Sequence, residues 1–288
     1  LHRVDRRQRQ MCIRDRKRKI KRNRAFLDDF EPGSLLKPIA LAIGLDKDFI
    51  DKNIKIQTSP GTLTLNGNVI HDSNNNYGEL LPSDVIVKSS QVGAAKIALQ
   101  IGEESLLKGY KEFGFTNNPY ISFPSISFGS LISRNDLSHH EVASLGYGYN
   151  IEATALQIAL AYSVIANGGI MKEFSLLKNE NIGSKRVISK LNSDYVLSSL
   201  REAVLRGTGY RANSKKIEIA GKTGTAHKSG GNGYSQSKYI SSFASIGPLS
   251  DRKYTIIVVI DEPDPNKYFG GEVAAPIAKK LFEDLLSI

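Results

Sequence analysis

Over the first two thirds of the chain, apolar residues recur mostly at helical spacing. Ser83 to Gly102 carries Val85, Val92, Ala95, Ile97 and Ala98 in such a pattern and predicts one helix. Ser105 to Phe113 predicts a shorter one. Glu152 to Asn167 is a strongly apolar helical stretch closed by Gly168-Gly169, and Asp194 to Leu205 predicts another helix. Residues 54–67 read as irregular, with turn signals at Ser59-Pro60-Gly61 and Asn66-Gly67. Asp72 to Gly78 is a polar loop, and residues 114–138, rich in Pro, Ser, Gly and Asn, predict a long surface loop. Near residue 216 the pattern changes. Ile217–Thr225, Tyr239–Ile246 and Tyr254–Ile260 predict strands, the last apolar on both faces as an interior strand is. Ser229-Gly230-Gly231-Asn232-Gly233 predicts a mobile loop between the first two, and Val273 to Leu286 a final helix. Helices followed by an antiparallel meander predict an α+β fold.

The chain's 288 residues can bury a full core, and 40% hydrophobic content is ordinary for a globular protein. No run of 18 apolar residues marks a membrane span, and no signal-peptide pattern opens the chain. The net charge of +10 resembles that of a nucleic-acid binder. Its distribution argues otherwise. Residues 1–24 hold 12 basic and 2 acidic side chains, and the remainder holds 27 of each. The excess charge therefore belongs to a basic, non-globular tail, 1–24, and no nucleic-acid partner is expected. Met11 to Arg16 back-translates to ATGTGTATAAGAGACAG, which resembles a transposon-end adapter from DNA library preparation. Residues 1–16 are accordingly expected to be foreign. The one cysteine, Cys12, lies among them, so thiol catalysis and cysteine-ligated zinc are not expected.

Candidate chemistry lies in three short motifs. Ser34-Leu35-Leu36-Lys37 has the form S-x-x-K, which occurs five times here, beginning at Ser34, Ser105, Ser175, Ser235 and Ser250. Only Ser34 follows a turn, Glu31-Pro32-Gly33, and opens a helix; Pro38 pins the helix start close to it. Residues three apart share a helix face, so Lys37 can take the Ser34 proton if burial or a second cation keeps it neutral. The helix N-terminus favours the developing oxyanion. Taken singly, the motif also fits a capping serine and a surface lysine. Ser89-Ser90-Gln91 offers a hydroxyl for proton relay, or a polar helix start. Lys222-Thr223-Gly224-Thr225 ends an apolar strand. Gly224 leaves room for substrate against the backbone, and Lys222 with the threonine hydroxyls can hold a carboxylate.

The order S-x-x-K, S-D-N, K-T-G is that of penicillin-binding proteins and serine β-lactamases; here Ser90 and Gln91 replace Asp and Asn. The chain resembles the transpeptidase domain of class B penicillin-binding proteins, specifically the septal peptidoglycan D,D-transpeptidase. The matching stretches include Arg22 to Phe26, Phe30 to Ser34, Lys88 to Gly93, Gly146-Tyr147-Gly148-Tyr149, Ala155 to Ala159, Gly221 to Ala226 and Tyr268-Phe269-Gly270-Gly271. The resemblance implies an antiparallel sheet flanked by helices plus an all-helical subdomain. Residues 25–288 would be the transpeptidase domain, incomplete at its N-terminus, with early strands and a membrane anchor missing. Ser34 would be the nucleophile, Lys37 the base and Ser89 the relay. Gln91 would stand for an asparagine that contacts the substrate amide, and Lys222, Thr223, Gly224 and Thr225 would bind the substrate's terminal carboxylate. The backbone N–H groups of Ser34 and Thr225 would form the oxyanion hole. It implies no cofactor and no metal. Its implied partners are peptidoglycan stem peptides, β-lactams, a septal glycosyltransferase and other division proteins, on the extracytoplasmic side of a bacterial inner membrane.

Two other readings share these motifs. A serine β-lactamase or β-lactam sensor has the same triad of motifs, but class A enzymes carry a Glu-x-x-Leu-Asn stretch that is absent between the second and third motifs. A non-catalytic division scaffold would keep the fold without turnover, and Gln91 is the one feature that favours it.

Overall fold

The computed structural model describes residues 22–73, 76–117, 125–134, 136–177, 183–230, 233–250 and 253–286. Residues 1–21 of the basic tail lie outside them; Arg24, read as the tail's last residue, instead opens a short helix, Arg24–Leu27, and pairs with Asp261 at 2.7 Å. A helical region precedes a three-stranded antiparallel sheet of β9 (Ala220–Gly230), β10 (Gly233–Gly247) and β11 (Tyr254–Asp261), with β10 in the centre. Phe243 pairs with Thr223 on one side and with Val258 on the other. Among the described residues β11 pairs with β10 alone, so the strand read as interior stands at the sheet's edge. On one face of the sheet lies α10 (Ala275–Leu286), burying Ala275, Ala278 and Phe282 beside Phe243 and Val258. The other face meets α7 (Ala155–Ala166) and α8 (Lys190–Arg206) within the main core.

Most predicted elements form, with corrections that bear on the site. Ser83 to Gly102 is not one helix. It is two, α3 (Pro82–Lys88) and α4 (Gln91–Ile101), broken at Ser89, whose φ of 58° is left-handed. A β carbon on Gly93 would lie 2.7 Å from Val85, so glycine lets them pack closely. Residues 54–67 contain strands, β1 (Ile56–Gln57) and β2 (Thr62–Leu65); β2 pairs with β3 (Asn68–His71) across the Asn66-Gly67 turn. These strands are too short to show a period. In 114–138 the described residues hold β5 (Ser130–Leu131), paired with β6 (Ile151–Glu152), so α7 begins only after the Thr154 cap. The glycine-rich loop is mostly strand, reaching Gly230 and Gly233, and Gly231 and Asn232 lie outside the described residues. The final helix starts at Ala275 after a short one, α9 (Gly270–Val273).

Candidate active site

Ser34 sits in a 3₁₀ turn, Gly33–Leu36, that runs directly into α2 (Lys37–Asp46). Pro38 occupies the first turn of α2, where a missing N–H costs nothing. The helix start thus falls slightly after Ser34, and the serine approaches the positive end of α2 from a tighter turn. Gly33 has φ +54° and donates its N–H to the Gly148 carbonyl at 3.1 Å. Gly148 crosses so closely that a β carbon there would stand 2.0 Å from the Gly33 carbonyl oxygen. On its other side the turn packs against β9. A β carbon on Gly33 would meet Ala226 at 3.5 Å and the Thr225 carbonyl at 3.8 Å.

Lys37 is 1% exposed, and its Nζ donates to the Ser89 carbonyl at 2.6 Å and reaches Ser89 Oγ at 3.3 Å. Lys222, fully buried, donates to the same Oγ at 2.7 Å and to the Thr223 carbonyl at 3.0 Å. One hydroxyl therefore joins the first and third motifs. The left-handed backbone of Ser89, a conformation that costs a non-glycine residue about 1 kcal/mol or more, aims both its oxygens at the lysines. Burial drives the Lys37 ammonium down from 10.5 to about 7, with Asp72 pulling the other way. Lys222 is pushed well below its ordinary value by burial and by the neighbouring Lys37. Two buried ammonium groups on one hydroxyl repel, so the pair favours losing a proton.

The polar stretch at the second motif is held by a residue that sequence reasoning missed. Asp72, 6% exposed, accepts from Ser90 Oγ at 3.0 and 2.9 Å, from the Gln91 N–H at 2.6 Å and from the Val92 N–H at 3.1 Å. Ser90 Oγ in turn accepts from the Gly93 N–H at 2.9 Å. The first-turn donors of α4 are thereby satisfied, which explains why the chain breaks and restarts here. Nothing local links Asp72, in a polar loop, to a serine eighteen positions later.

The cleft, about 580 Å³, is lined by Ser34, Ser89, Gln91, Thr223 and Thr225, with Tyr149, Tyr239, Tyr268 and Phe269 along one side. Tyr268 stacks on Tyr239 at 3.9 Å and on Phe269 at 4.6 Å. Thr225 Oγ1 accepts from the Gly270 N–H at 3.0 Å and keeps its own proton to donate. Thr223 Oγ1 shares a hydrogen bond of 2.8 Å with Thr208, a second lining residue the sequence did not single out. Lys37 and Lys222 lie behind the wall. Gly224 does not open space for substrate on its side-chain face. A β carbon there would meet Ser242 Oγ at 2.3 Å, Leu35 at 3.0 Å and the Pro32 carbonyl at 3.2 Å, so glycine makes room for the neighbouring strand and for the nucleophile turn. None of the other S-x-x-K serines lines the cleft. A second cavity, about 650 Å³ between Arg24, Phe30, Ile257 and Asp261, holds no motif residue. Among the described residues no group of three His, Cys, Asp or Glu is placed to hold a metal.

Comparison with known proteins bears on the family. The profile of the penicillin binding protein transpeptidase domain matches residues 7–283. A probable peptidoglycan D,D-transpeptidase, PbpC, of Pseudomonas aeruginosa is 34% identical over 268 residues, 92% of this chain and 46% of that protein. The peptidoglycan D,D-transpeptidase FtsI of Buchnera aphidicola subsp. Baizongia pistaciae is 35% identical over 275 residues, 93% of this chain and 47% of that protein. The chain spans about half the length of these relatives. Among solved structures, the apo transpeptidase domain of Burkholderia pseudomallei penicillin-binding protein 3 superposes with a TM-score of 0.87 at 32% identity, covering 92% of this chain and 81% of that one. Penicillin-binding protein 3 of Mycobacterium tuberculosis in complex with aztreonam gives a TM-score of 0.84 at 25% identity, covering 96% and 66%. With the motif lysines converging on one serine beside the cleft, and with these matches along nearly its whole length, the chain belongs to the penicillin-binding protein transpeptidase family.

Proposed function

We propose that this chain carries the catalytic centre of a septal peptidoglycan D,D-transpeptidase. The observation that carries the reading is the Lys37–Ser89–Lys222 convergence, with Lys37 buried and depressed to about 7 beside the turn that bears Ser34. A lysine in that state can act as a base at neutral pH.

In this mechanism Lys37 takes the Ser34 hydroxyl proton as Oγ attacks the carbonyl of the penultimate D-alanine. The backbone N–H groups of Ser34 and Thr225 stabilise the oxyanion. Ser89 passes a proton to the departing D-alanine nitrogen, and an ester to Ser34 remains. An amine from a neighbouring stem peptide attacks that ester, forms the cross-linking amide and returns the serine. Thr223 and Thr225 hydroxyls meet the substrate's terminal carboxylate. Lys222 stands behind them, and an arriving anion favours its protonated form. Gln91 keeps the amide chemistry of the asparagine it replaces. β-Lactams present the same carboxylate and a strained amide, and they leave a stable ester on Ser34.

The names of the relatives support placing this chemistry in peptidoglycan synthesis. Its proposed setting is outside the cytoplasmic membrane, with a septal glycosyltransferase as partner. No helix among the described residues is long and apolar enough to cross a membrane. Incubation with labelled penicillin followed by peptide mass spectrometry tests the proposal. Ser34→Ala should abolish labelling, and alanine at Ser105, Ser175, Ser235 or Ser250 should not. Labelling of Ser34→Ala at the parental level would refute it.

A further inference from the structure

The nucleophile turn is not held by its own helix alone. In an α-helix the Ser34 carbonyl would accept from the N–H of residue 38, but residue 38 is proline and has none. The backbone around Ser34 is accordingly a 3₁₀ turn, and its geometry depends on outside contacts. Two come from one helix and the residue just ahead of its cap. Ala153, just before the Thr154 cap of α7, exchanges backbone hydrogen bonds with Phe30 at 3.2 and 3.0 Å, four residues ahead of the nucleophile. That end of α7 is locked by a capping box between Thr154 and Gln157, both buried. Eight residues on, about 12 Å along the axis, Tyr162 donates its hydroxyl to the Leu35 carbonyl at 2.9 Å. Ser34 lies between these two grips.

We infer that Tyr162 is a positioning residue for the nucleophile: its hydroxyl fixes the Leu35–Leu36 peptide plane, and with it the attitude of Ser34 toward Lys37. This rests on the reading of Ser34 as nucleophile. Tyr162 is fully buried, and burial raises its hydroxyl well above the ordinary value, so it remains a donor at every working pH. The bond's acceptor lies on the residue directly after the nucleophile, and reaction rates respond steeply to misplacement of about 1 Å or less. Lys37, anchored on Ser89, cannot follow a turn that shifts.

The test measures the acylation constant and the noncovalent binding constant separately, using a chromogenic cephalosporin or fluorescent penicillin with the protein and its variants. Tyr162→Phe removes one oxygen and keeps the ring. It should lower the acylation constant about five- to tenfold and leave the binding constant within about twofold. Ser193→Ala is the control. Ser193 Oγ, on α8, donates to the Ile165 carbonyl of α7 at 2.8 Å, another buried bond to that helix that does not involve the turn. Ser193→Ala should lose comparable thermal stability with the parental acylation constant. 3-Fluorotyrosine at position 162, which retains the hydroxyl, should keep the parental constant. An acylation constant in Tyr162→Phe equal to that of Ser193→Ala, or a defect confined to binding, overturns the assignment. Continued labelling of Ser34→Ala overturns the nucleophile itself, whatever Tyr162→Phe does.

Discussion

The position of Lys37 makes a quantitative prediction about pH. Its side chain acts as a base only when neutral. With burial bringing it from 10.5 to about 7, the neutral fraction is about 9% at pH 6, about 50% at pH 7 and about 91% at pH 8. The acylation constant should therefore rise about fivefold from pH 6 to 7, about twofold from 7 to 8, and then level off. A lysine titrating at its ordinary value would give about a tenfold rise per unit throughout that range. The assay is timed labelling with a fluorescent penicillin, whose carboxylate is ionised over the whole interval. His227 also lines the cleft, so the profile should be repeated in His227→Gln. A profile that rises tenfold per unit to pH 9, or one that is flat from pH 6 to 8 in both proteins, would refute the role given to Lys37. The electrostatics supply an internal check. Asp72 raises Lys37, so Asp72→Asn removes a stabiliser of the charged form and should move the midpoint below 7.

Other perturbations test the frame of the site. Asp72→Asn should also lower the plateau of the acylation constant and the melting temperature, because the first turn of α4 loses a charged acceptor, a change of about 1–3 kcal/mol by denaturant titration. Gly148→Ala should abolish folding or cost more than about 3 kcal/mol, since its β carbon would overlap the Gly33 carbonyl at 2.0 Å; Gly67→Ala, also at positive φ but in open space, should cost only about 1 kcal/mol. Equal melting temperatures for these two glycine variants would refute the crossing. Gln91→Asn shortens the side chain by one methylene and should change acylation by less than about tenfold, ~1.4 kcal/mol; an inactive parent revived by this change would favour the scaffold reading.

The linear sequence determined those features whose cause is local. Apolar periodicity located most of the longer helices but not the short one at His139–Leu145, since burying one face requires a 3.6-residue repeat that needs several turns to show. Runs of Ile, Val and Tyr located β10 and β11, Ile217 and Ile219 pointed only to the approach to β9, and the Glu31-Pro32-Gly33 turn with Pro38 distinguished Ser34 from four other S-x-x-K serines. Residue order along the chain was enough to nominate Lys37, Ser89 and Lys222. What tertiary structure alone decided is how these groups meet. Whether Lys37 is neutral depends on burial and on Asp72, which approach it from distant parts of the chain. The break at Ser89 arises because a carboxylate from the end of β3 captures the α4 donors, a contact with no local sequence signal. Gly224 looked like room for substrate because a sequence shows an absent side chain but not what fills its place; Ser242, Leu35 and Pro32 fill it. Tyr162 looked like one more apolar residue of a buried helix, and only packing turned its hydroxyl toward Leu35. Periodicity reports which side of an element is buried, whereas the partner across the core is chosen by the fold as a whole.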